Sequence, residues 1–171
     1  MIATVHRAPW CRALVVTTTL SVLILLGVAW ALFDALPAEL PWRARVALQS
    51  LPLVVLAISM LFVVRRYELT HDALRIQRLG WCTVIPLHGL QRAWADPRAL
   101  RALRLCGNGG LFSISGLYWN RSLGRFRAFA NDPARAVVLE VAGRKVVVTP
   151  EQPADFLANL RHFHPQLEAS T

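Results

Sequence analysis

The sequence predicts an α+β protein: two transmembrane helices, followed by a domain of about seven short strands and one C-terminal helix. The first 64 residues contain two long stretches without charged residues, and short β-type runs broken by turns follow from Tyr67 onward. Of 171 residues, 55% are hydrophobic and 17% are charged, whereas soluble domains carry about 25% charged residues. The deficit is local, because only six charged residues precede Arg65.

The first apolar stretch covers residues 13–33, which are 21 residues without a charge. At about 1.5 Å per residue they form a helix of about 31 Å, close to the thickness of a hydrocarbon core of about 30 Å. A signal peptide is the alternative for an N-terminal apolar run, but its apolar region is usually about 7–15 residues long. The segment that follows also leads directly into a second apolar stretch. We therefore expect a retained transmembrane helix.

The second apolar stretch covers residues 46–64 and again contains no charged residue. Pro52 removes a backbone donor there, which predicts a kink in the first turns. Because neither stretch contains an acid, a lysine or an arginine, a proton relay or an ion path is not favoured. Residues 1–65 are thus predicted to form a transmembrane hairpin that anchors the chain.

Basic residues indicate the orientation of this hairpin. Those that flank the outer ends of the two stretches are Arg7, Arg12, Arg65 and Arg66. The connection between the stretches carries only Arg43 and Arg45, beside two acidic residues. Basic residues accumulate on the cytoplasmic side of a membrane. We therefore predict a two-pass protein of the inner (cytoplasmic) membrane with both termini in the cytoplasm.

The rest of the chain is predicted to form one domain over residues 66–165 and a disordered tail over residues 166–171. Strand-type runs occupy residues 67–70, 73–79, 81–87 and 90–95, and a glycine-rich region with further short strands follows. Residues 97–105 are predicted to be a helical turn or a loop. The clearest hairpin joins residues 136–141 to 144–149 through Ala142-Gly143. After it, one face of an amphipathic helix carries Phe156, Leu157, Leu160 and Phe163.

Three motifs in this domain resemble the bacterial pleckstrin-homology (PH) families. The run YELTHDAL at residues 67–74 is similar to their opening Y-x-L-S/T-x-D-x-L hairpin. The glycine-rich residues 109–126 resemble the middle of one such family, and VVVTPE at residues 146–151 with Phe156 and Leu160 resembles its last strand and helix. The resemblance covers about residues 66–163. It implies a PH-like bent β-barrel of about seven strands with a C-terminal capping helix.

The most basic and aromatic patch of the domain is the candidate contact site for a lipid headgroup or a partner. It consists of Trp119, Arg121, Arg125 and Arg127. Arginine forks and aromatic faces bind anionic groups well. The alternative is that the aromatic rings belong to the core and the arginines to a solvated strand face. The loop of the first hairpin contains His71-Asp72, which is not a phosphate-binding cluster.

No catalytic, cofactor or metal motif is recognised. The glycines at residues 107–110 lack the following Lys-Ser/Thr of a nucleotide loop. The serines Ser113, Ser115 and Ser122 lie in no nucleophile elbow. Cys11, Cys82 and Cys106 have no metal-ligand spacing, and we expect Cys82 and Cys106 to be small buried groups. His162 and His164 are two residues apart, which on a helix directs them to different sides.

A net charge of +9 raises the possibility of nucleic-acid binding, but basic residues also accumulate beside anionic membranes. We expect no nucleic-acid partner. The predicted function is that of a non-catalytic integral membrane protein whose cytosolic PH-like domain binds another membrane or cytosolic protein, a lipid or a second copy of itself. Two alternatives are a subunit or regulator of a transport or envelope-assembly complex, recognised through its helices, and an enzyme acting on lipid or envelope precursors.

Overall fold

Two long apolar helices form the N-terminal part of the chain. The computed structural model describes residues 3–37, 39–165 and 167. Within this part, helices α1 (Arg12–Ala35) and α2 (Trp42–Leu61) are long and apolar enough to cross a membrane. Only 17% and 6% of their most apolar windows are buried, unlike the core helix of a soluble protein. The prediction of two such helices is confirmed.

The ends of α2 differ from the predicted residues 46–64. The helix begins at Trp42, so that Arg43 and Arg45 lie inside it, and the Arg45 guanidinium donates to the carbonyl of Pro37 at 2.7 Å. It ends at Leu61 because Val64 already begins a strand. Charged residues limit the apolar run, but they do not interrupt helical hydrogen bonding. For that reason, composition alone misplaced the start of α2, whereas its end is set by the strand that begins at Val64.

The described residues downstream and upstream of the helices form two sheets. The first has the strand order β1-β2-β3-β4 and the second the order β5-β9-β10-β8-β7-β6. Neighbouring strands are antiparallel except β8 and β10, which are parallel. The strands are β1 (Thr4–Arg7), β2 (Val64–Leu69), β3 (Ala73–Arg78), β4 (Cys82–Pro86), β5 (Leu90–Ala95), β6 (Leu103–Gly109), β7 (Ile114–Asn120), β8 (Gly124–Ala130), β9 (Val137–Val141) and β10 (Arg144–Val148).

The fold class is confirmed as α+β with a C-terminal helix, α3 (Pro153–Phe163). The described strands number ten rather than about seven, and the two sheets do not close into a barrel. Strand β1 was not predicted, because its pairing partner β2 lies beyond both helices in the sequence. Strand β6 begins inside residues 97–105, which were predicted to be a helical turn or a loop, because a run of Leu and Arg there carries no clear alternation.

Two hydrophobic clusters stabilise this arrangement. The larger one lies between the two sheets and α3, and it includes the fully buried Tyr67, Leu139 and Phe156. Each such apolar side chain contributes about 1.5–3 kcal/mol. The smaller cluster, which includes Phe126, covers the other face of the second sheet. Of the predicted disordered tail, Leu167 packs against the larger cluster, and the other residues lie outside the described ones.

A buried amide joins the helices to the second sheet. Asn131 directly follows β8, and its side-chain nitrogen donates to the carbonyls of Ala8 at 3.0 Å and Val64 at 2.8 Å. Ala8 lies between β1 and α1, whereas Val64 follows α2. The backbone nitrogen of Asn131 donates to the Thr149 hydroxyl at 2.9 Å. One side chain therefore holds the segment entering α1 and the segment leaving α2.

Tyr67 makes a second buried connection between the sheets. Its hydroxyl donates to the carbonyl of Phe129 at 2.5 Å and accepts from the backbone nitrogen of Thr149 at 3.2 Å. Burial raises the pKa of Tyr67 to about 12, so the phenol remains a donor at neutral pH. Because Tyr67 lies on β2 and Phe129 on β8, this hydrogen bond fixes the first sheet over the second.

The loop between β6 and β7 contacts the first turns of α1. The hydroxyls of Thr17 and Thr18 donate to the carbonyl of Gly110 at 3.1 and 3.2 Å. The backbone nitrogen of Phe112 donates to the Thr18 hydroxyl at 3.0 Å, and the ring of Phe112 meets Trp10 edge to face. The helix and the second sheet are thus joined directly as well as through the chain.

Replacing the buried amide should destabilise the whole protein. Asn131→Ala leaves two buried carbonyls without their donor, and each such group costs about 1–3 kcal/mol. We expect a loss of about 2–4 kcal/mol in the free energy of unfolding, measured by circular dichroism on the full chain in detergent. Gln91→Ala, at an exposed amide on β5, is the control and should change stability by less than about 0.5 kcal/mol. Equal stability of both variants would contradict this role of Asn131.

Candidate functional site

The structure places three of the four predicted contact residues on one face of the second sheet. Trp119 on β7 pairs with Arg125 on β8, and Leu117 pairs with Arg127. Residues opposite each other in a ladder share a face, as do alternate residues along a strand. All four side chains of these two pairs therefore project from the same face. Arg121, in contrast, lies in the turn between the two strands.

The aromatic residues of this region divide between the core and the surface. Tyr118 and Phe126 are buried on the opposite face of the sheet, where their rings stack with centroids 5.9 Å apart. Phe129 is also buried, whereas Trp119 remains 38% exposed. Three of the rings therefore belong to the core, as the alternative interpretation of this patch expected. Of these four rings, Trp119 is the one available for contact.

An open groove separates the edge of the first sheet from the second sheet, and we call it the inter-sheet groove. It has a volume of about 640 Å³. One wall is β4, from Val84 to Pro86; the other is formed by β7, β8 and the β9–β10 hairpin. The groove exists because the two sheets do not close on this side. Its apolar lining includes Ile85, Leu117, Phe129 and Val146.

The rim of the inter-sheet groove is positively charged. Its basic residues are Arg125, Arg127, Arg144 and Lys145, and none of the described lining residues is acidic. A concave surface lined by one sign of charge attracts ligands of the opposite sign. The arrangement therefore favours a ligand that presents both apolar groups and negative charges.

The ring of Phe129, which lines the groove, lies close to two arginines: Arg127, which also lines the groove, and Arg78, which does not. The guanidinium carbons of Arg127 and Arg78 lie 5.4 and 4.9 Å from the centroid of the Phe129 ring. Burial lowers the pKa of Arg78, and the positive charge of Arg127 lowers it further. The Phe129 ring thus makes cation–π contacts with two guanidinium groups that repel each other. An anion bound near either arginine would reduce this repulsion.

The edge strand β4 offers a second mode of recognition. Among the described strands β4 pairs with β3 alone, and its residues alternate between exposed and half-buried, with Val84 54% exposed. An edge strand has a row of backbone donors and acceptors that another extended segment can use. The groove thus combines apolar surface, positive charge and a free strand edge along one side.

Sequence reasoning found Arg125 and Arg127 but missed Ile85, Arg144 and Lys145. These three residues belong to β4 and β10, and only the packing of the two sheets brings them to the groove. Arg78 had a recognisable signal, because it follows Leu74 and Ile76 in the inward phase of β3. A charged residue at an inward position indicates either a site or a side chain that extends to the surface.

The cysteines, serines and histidines contribute no reactive cluster to this surface. Cys82 and Cys106 are exposed, contrary to prediction, because they lie on β4 and β6, the strands at the edges of the two sheets. The Ser113 hydroxyl lies 2.9 Å from that of Ser115 and donates to the carbonyl of Phe62. No group of three or more potential metal ligands was found among the described residues.

Two partly open sheets with a groove between them, and one C-terminal helix that covers their shared core, form a small α+β domain behind two apolar helices. A family model described as Bacterial PH domain matches residues 65–163. The chain therefore belongs to the bacterial PH domain family, as the sequence motifs indicated. Comparisons with curated proteins and with solved structures gave no match.

The edge positions of Cys82 and Cys106 can be tested by thiol labelling. Three variants that each retain one cysteine are treated with a maleimide in mild detergent. We expect Cys82 and Cys106 to react nearly as fast as in the unfolded chain. Cys11 should react more slowly, because it is half-buried and its sulfur accepts a hydrogen bond from the Leu14 backbone at 3.4 Å. Protection of Cys82 or Cys106 until denaturant is added would show that these edges are covered.

Proposed function

We propose that α1 and α2 anchor the protein in the inner membrane and that its cytosolic PH domain binds an extended, acidic segment of a partner protein. The observation that carries this proposal is the inter-sheet groove, which has an apolar floor, a rim of four basic residues and a free strand edge. The protein acts as a non-catalytic docking module in this proposal. No step of chemistry is assigned to it.

The dimensions of the groove fit an extended peptide. Strand β4 has five residues, which span about 17 Å at about 3.4 Å per residue. A segment of similar length pairs with β4 through its backbone and directs alternate side chains toward Phe129 and Val146. The side chains between them reach the basic rim. Backbone pairing provides affinity in this mode, and the pockets for alternate side chains provide specificity.

The position of the groove favours a protein over the membrane as its ligand. In the ladder of β2, β3 and β4, Val64 pairs with Arg78 and Cys82 with Gln77 at the end nearest α2. The groove begins further along β4, at Val84, and extends to Pro86. Its lining therefore lies away from the helix ends along the strands. A segment of a neighbouring protein reaches this surface more readily than a lipid headgroup does.

Charge reversal in the groove should weaken the binding of an acidic peptide. The probe is a fluorescent peptide that alternates glutamate with valine, and its anisotropy is measured with the full chain in detergent. We expect Arg125→Glu with Lys145→Glu to weaken binding about tenfold, equal to about 1.4 kcal/mol. Added salt should weaken binding to the unaltered protein as well.

Two matched controls complete this experiment. Arg101→Glu with Arg92→Glu reverses two exposed charges outside the groove, and a peptide alternating lysine with valine reverses the charge of the ligand. The control variant should bind as the unaltered protein does, and the lysine peptide should not bind. Equal binding of both peptides, or of both double variants, would refute a charge-selective groove.

Recognition through the helices is the other candidate function, and the exposure of α1 and α2 favours it. Their outward faces carry large exposed side chains along both helices. Replacement of these faces by leucine, with Thr17, Thr18 and Pro52 retained, should leave peptide binding in the groove unchanged. A partner complex that is lost in this variant, but persists in the groove variant, would support recognition by the helices instead.

The flanking arginines support the proposed orientation of the hairpin, which can be measured directly. A reporter fused after Thr171 should be active in the cytosol, and one inserted within residues 37–41 should be active only outside it. The basic residues at the outer ends of the helices are expected to remain on the cytoplasmic side. The opposite pattern would place the PH domain outside the cytosol and exclude a cytosolic partner.

A further inference from the structure

A second concave site lies where the PH domain meets the two helices, and we call it the junction pocket. It has a volume of about 790 Å³, within the range of small-molecule sites. The lining residues that matter here are Arg7, Trp10, Arg65, Arg66, Arg78 and Glu151. They come from β1, from the segment leading into α1, from strands β2 and β3 and, for Glu151, from the segment between β10 and α3. None of them belongs to the inter-sheet groove.

The pairing of β1 with β2 places arginines together at this site. Arg7 is directly opposite Arg66, and the backbone nitrogen of Ala8 donates to the carbonyl of Arg65 at 3.3 Å. All three arginines therefore lie within a few residues of a helix end. Strand β1, which sequence reasoning did not find, brings Arg7 to the two arginines that follow α2.

The charges of the junction pocket are only partly compensated. Arg66 forms an ion pair with Glu68 at 3.2 Å, and Glu151 is the acidic residue among the pocket's described lining. Arg7, Arg65 and Arg78 take part in none of the described ion pairs. The four arginines of the pocket thus outnumber the one acidic residue of its described lining, and the pocket has an excess of positive charge.

Arg78 provides a separate indication of an anionic ligand. Its guanidinium carbon lies 5.6 Å from the Phe62 ring and 5.3 Å from the Trp81 ring, and these aromatic contacts hold the side chain in place. Its Nε atom is buried, and no hydrogen-bond partner for it was found in the described chain. A buried donor without an acceptor is destabilising, so an oxyanion that accepts a hydrogen bond from it would stabilise the protein.

We propose that the junction pocket binds the phosphate of an anionic phospholipid. This inference rests on the proposed membrane anchoring, which places residues beside the helix ends at the level of the headgroups. Arginine forks bind phosphate oxygens in pairs, and Trp10, 38% exposed beside them, is of the residue type enriched at membrane interfaces. The ligand is thus part of the bilayer, whereas the ligand of the groove is a protein segment.

The test measures lipid retention by the full chain. The protein is reconstituted in nanodiscs of phosphatidylcholine with or without phosphatidylglycerol, and lipids retained after extraction in mild detergent are identified by native mass spectrometry. We expect selective retention of phosphatidylglycerol. Arg7→Gln with Arg65→Gln should weaken it about 25-fold, because each arginine beside an anionic headgroup contributes roughly fivefold. Both side chains are exposed, so the variant should fold normally.

The matched control is Arg92→Gln with Arg101→Gln, which removes the same charge from exposed positions outside the pocket. It should retain phosphatidylglycerol as the unaltered protein does. Equal loss of retention in the two double variants would overturn the proposal, as would equal retention of phosphatidylcholine. Full displacement of phosphatidylglycerol by millimolar inorganic phosphate would also overturn it, because the site would then bind a free anion.

Failure of the anchoring proposal has a different signature. A chain that does not float with vesicles of either composition is not membrane-embedded, whatever the pocket binds. A chain that floats with both vesicle types but does not discriminate between the two lipids leaves the anchoring intact and removes the headgroup site. Peptide binding in the inter-sheet groove is expected to be unchanged in Arg7→Gln with Arg65→Gln, since neither residue lines that groove.

Discussion

The position of the PH domain relative to the helices depends on the buried side chain of Asn131. Its amide donates to the backbone on both sides of the helical hairpin, at Ala8 and at Val64. These two segments continue into β1 and β2, so the same contacts determine where the first sheet begins. Tyr67 then fixes that sheet over β8. The groove on one side of the domain and the pocket beside the helices are both consequences of this placement.

Much of the architecture was predictable because it depends on local patterns. Two long apolar stretches without charged residues predicted α1 and α2, and the Ala142-Gly143 turn predicted the β9–β10 hairpin. Apolar residues at positions i, i+1, i+4 and i+7, beginning at Phe156, predicted α3. Non-local pairing was not predictable. Strand β1 is four residues long and its partner follows two helices. The burial of Cys82 and Cys106 was misjudged because the sequence does not reveal which strands lie at a sheet edge.

The same distinction explains what was found of the candidate sites. Arg125 and Arg127 alternate with core residues on a single strand, so their exposure could be inferred from β8 alone. The groove also needs Ile85 and Lys145, and the junction pocket needs Arg7 beside Arg65. Those combinations arise only when strands distant in sequence become neighbours. The net charge of +9 is accordingly not spread evenly, since much of it lies at these two concave surfaces.

The contacts of Thr17 and Thr18 with Gly110 have a mechanical consequence. A domain joined to its anchor by a single flexible linker can swivel, and its binding surface then points in many directions. Here the chain connects the domain to the helices twice, before α1 and after α2, and the threonine contacts add a third connection. Rotation of α1 about its axis would break the threonine hydrogen bonds. The orientation of the groove relative to the helices is consequently fixed. In the proposed membrane-embedded state, a partner protein in the same bilayer would therefore approach the groove at a fixed height, and its search would be confined to lateral diffusion.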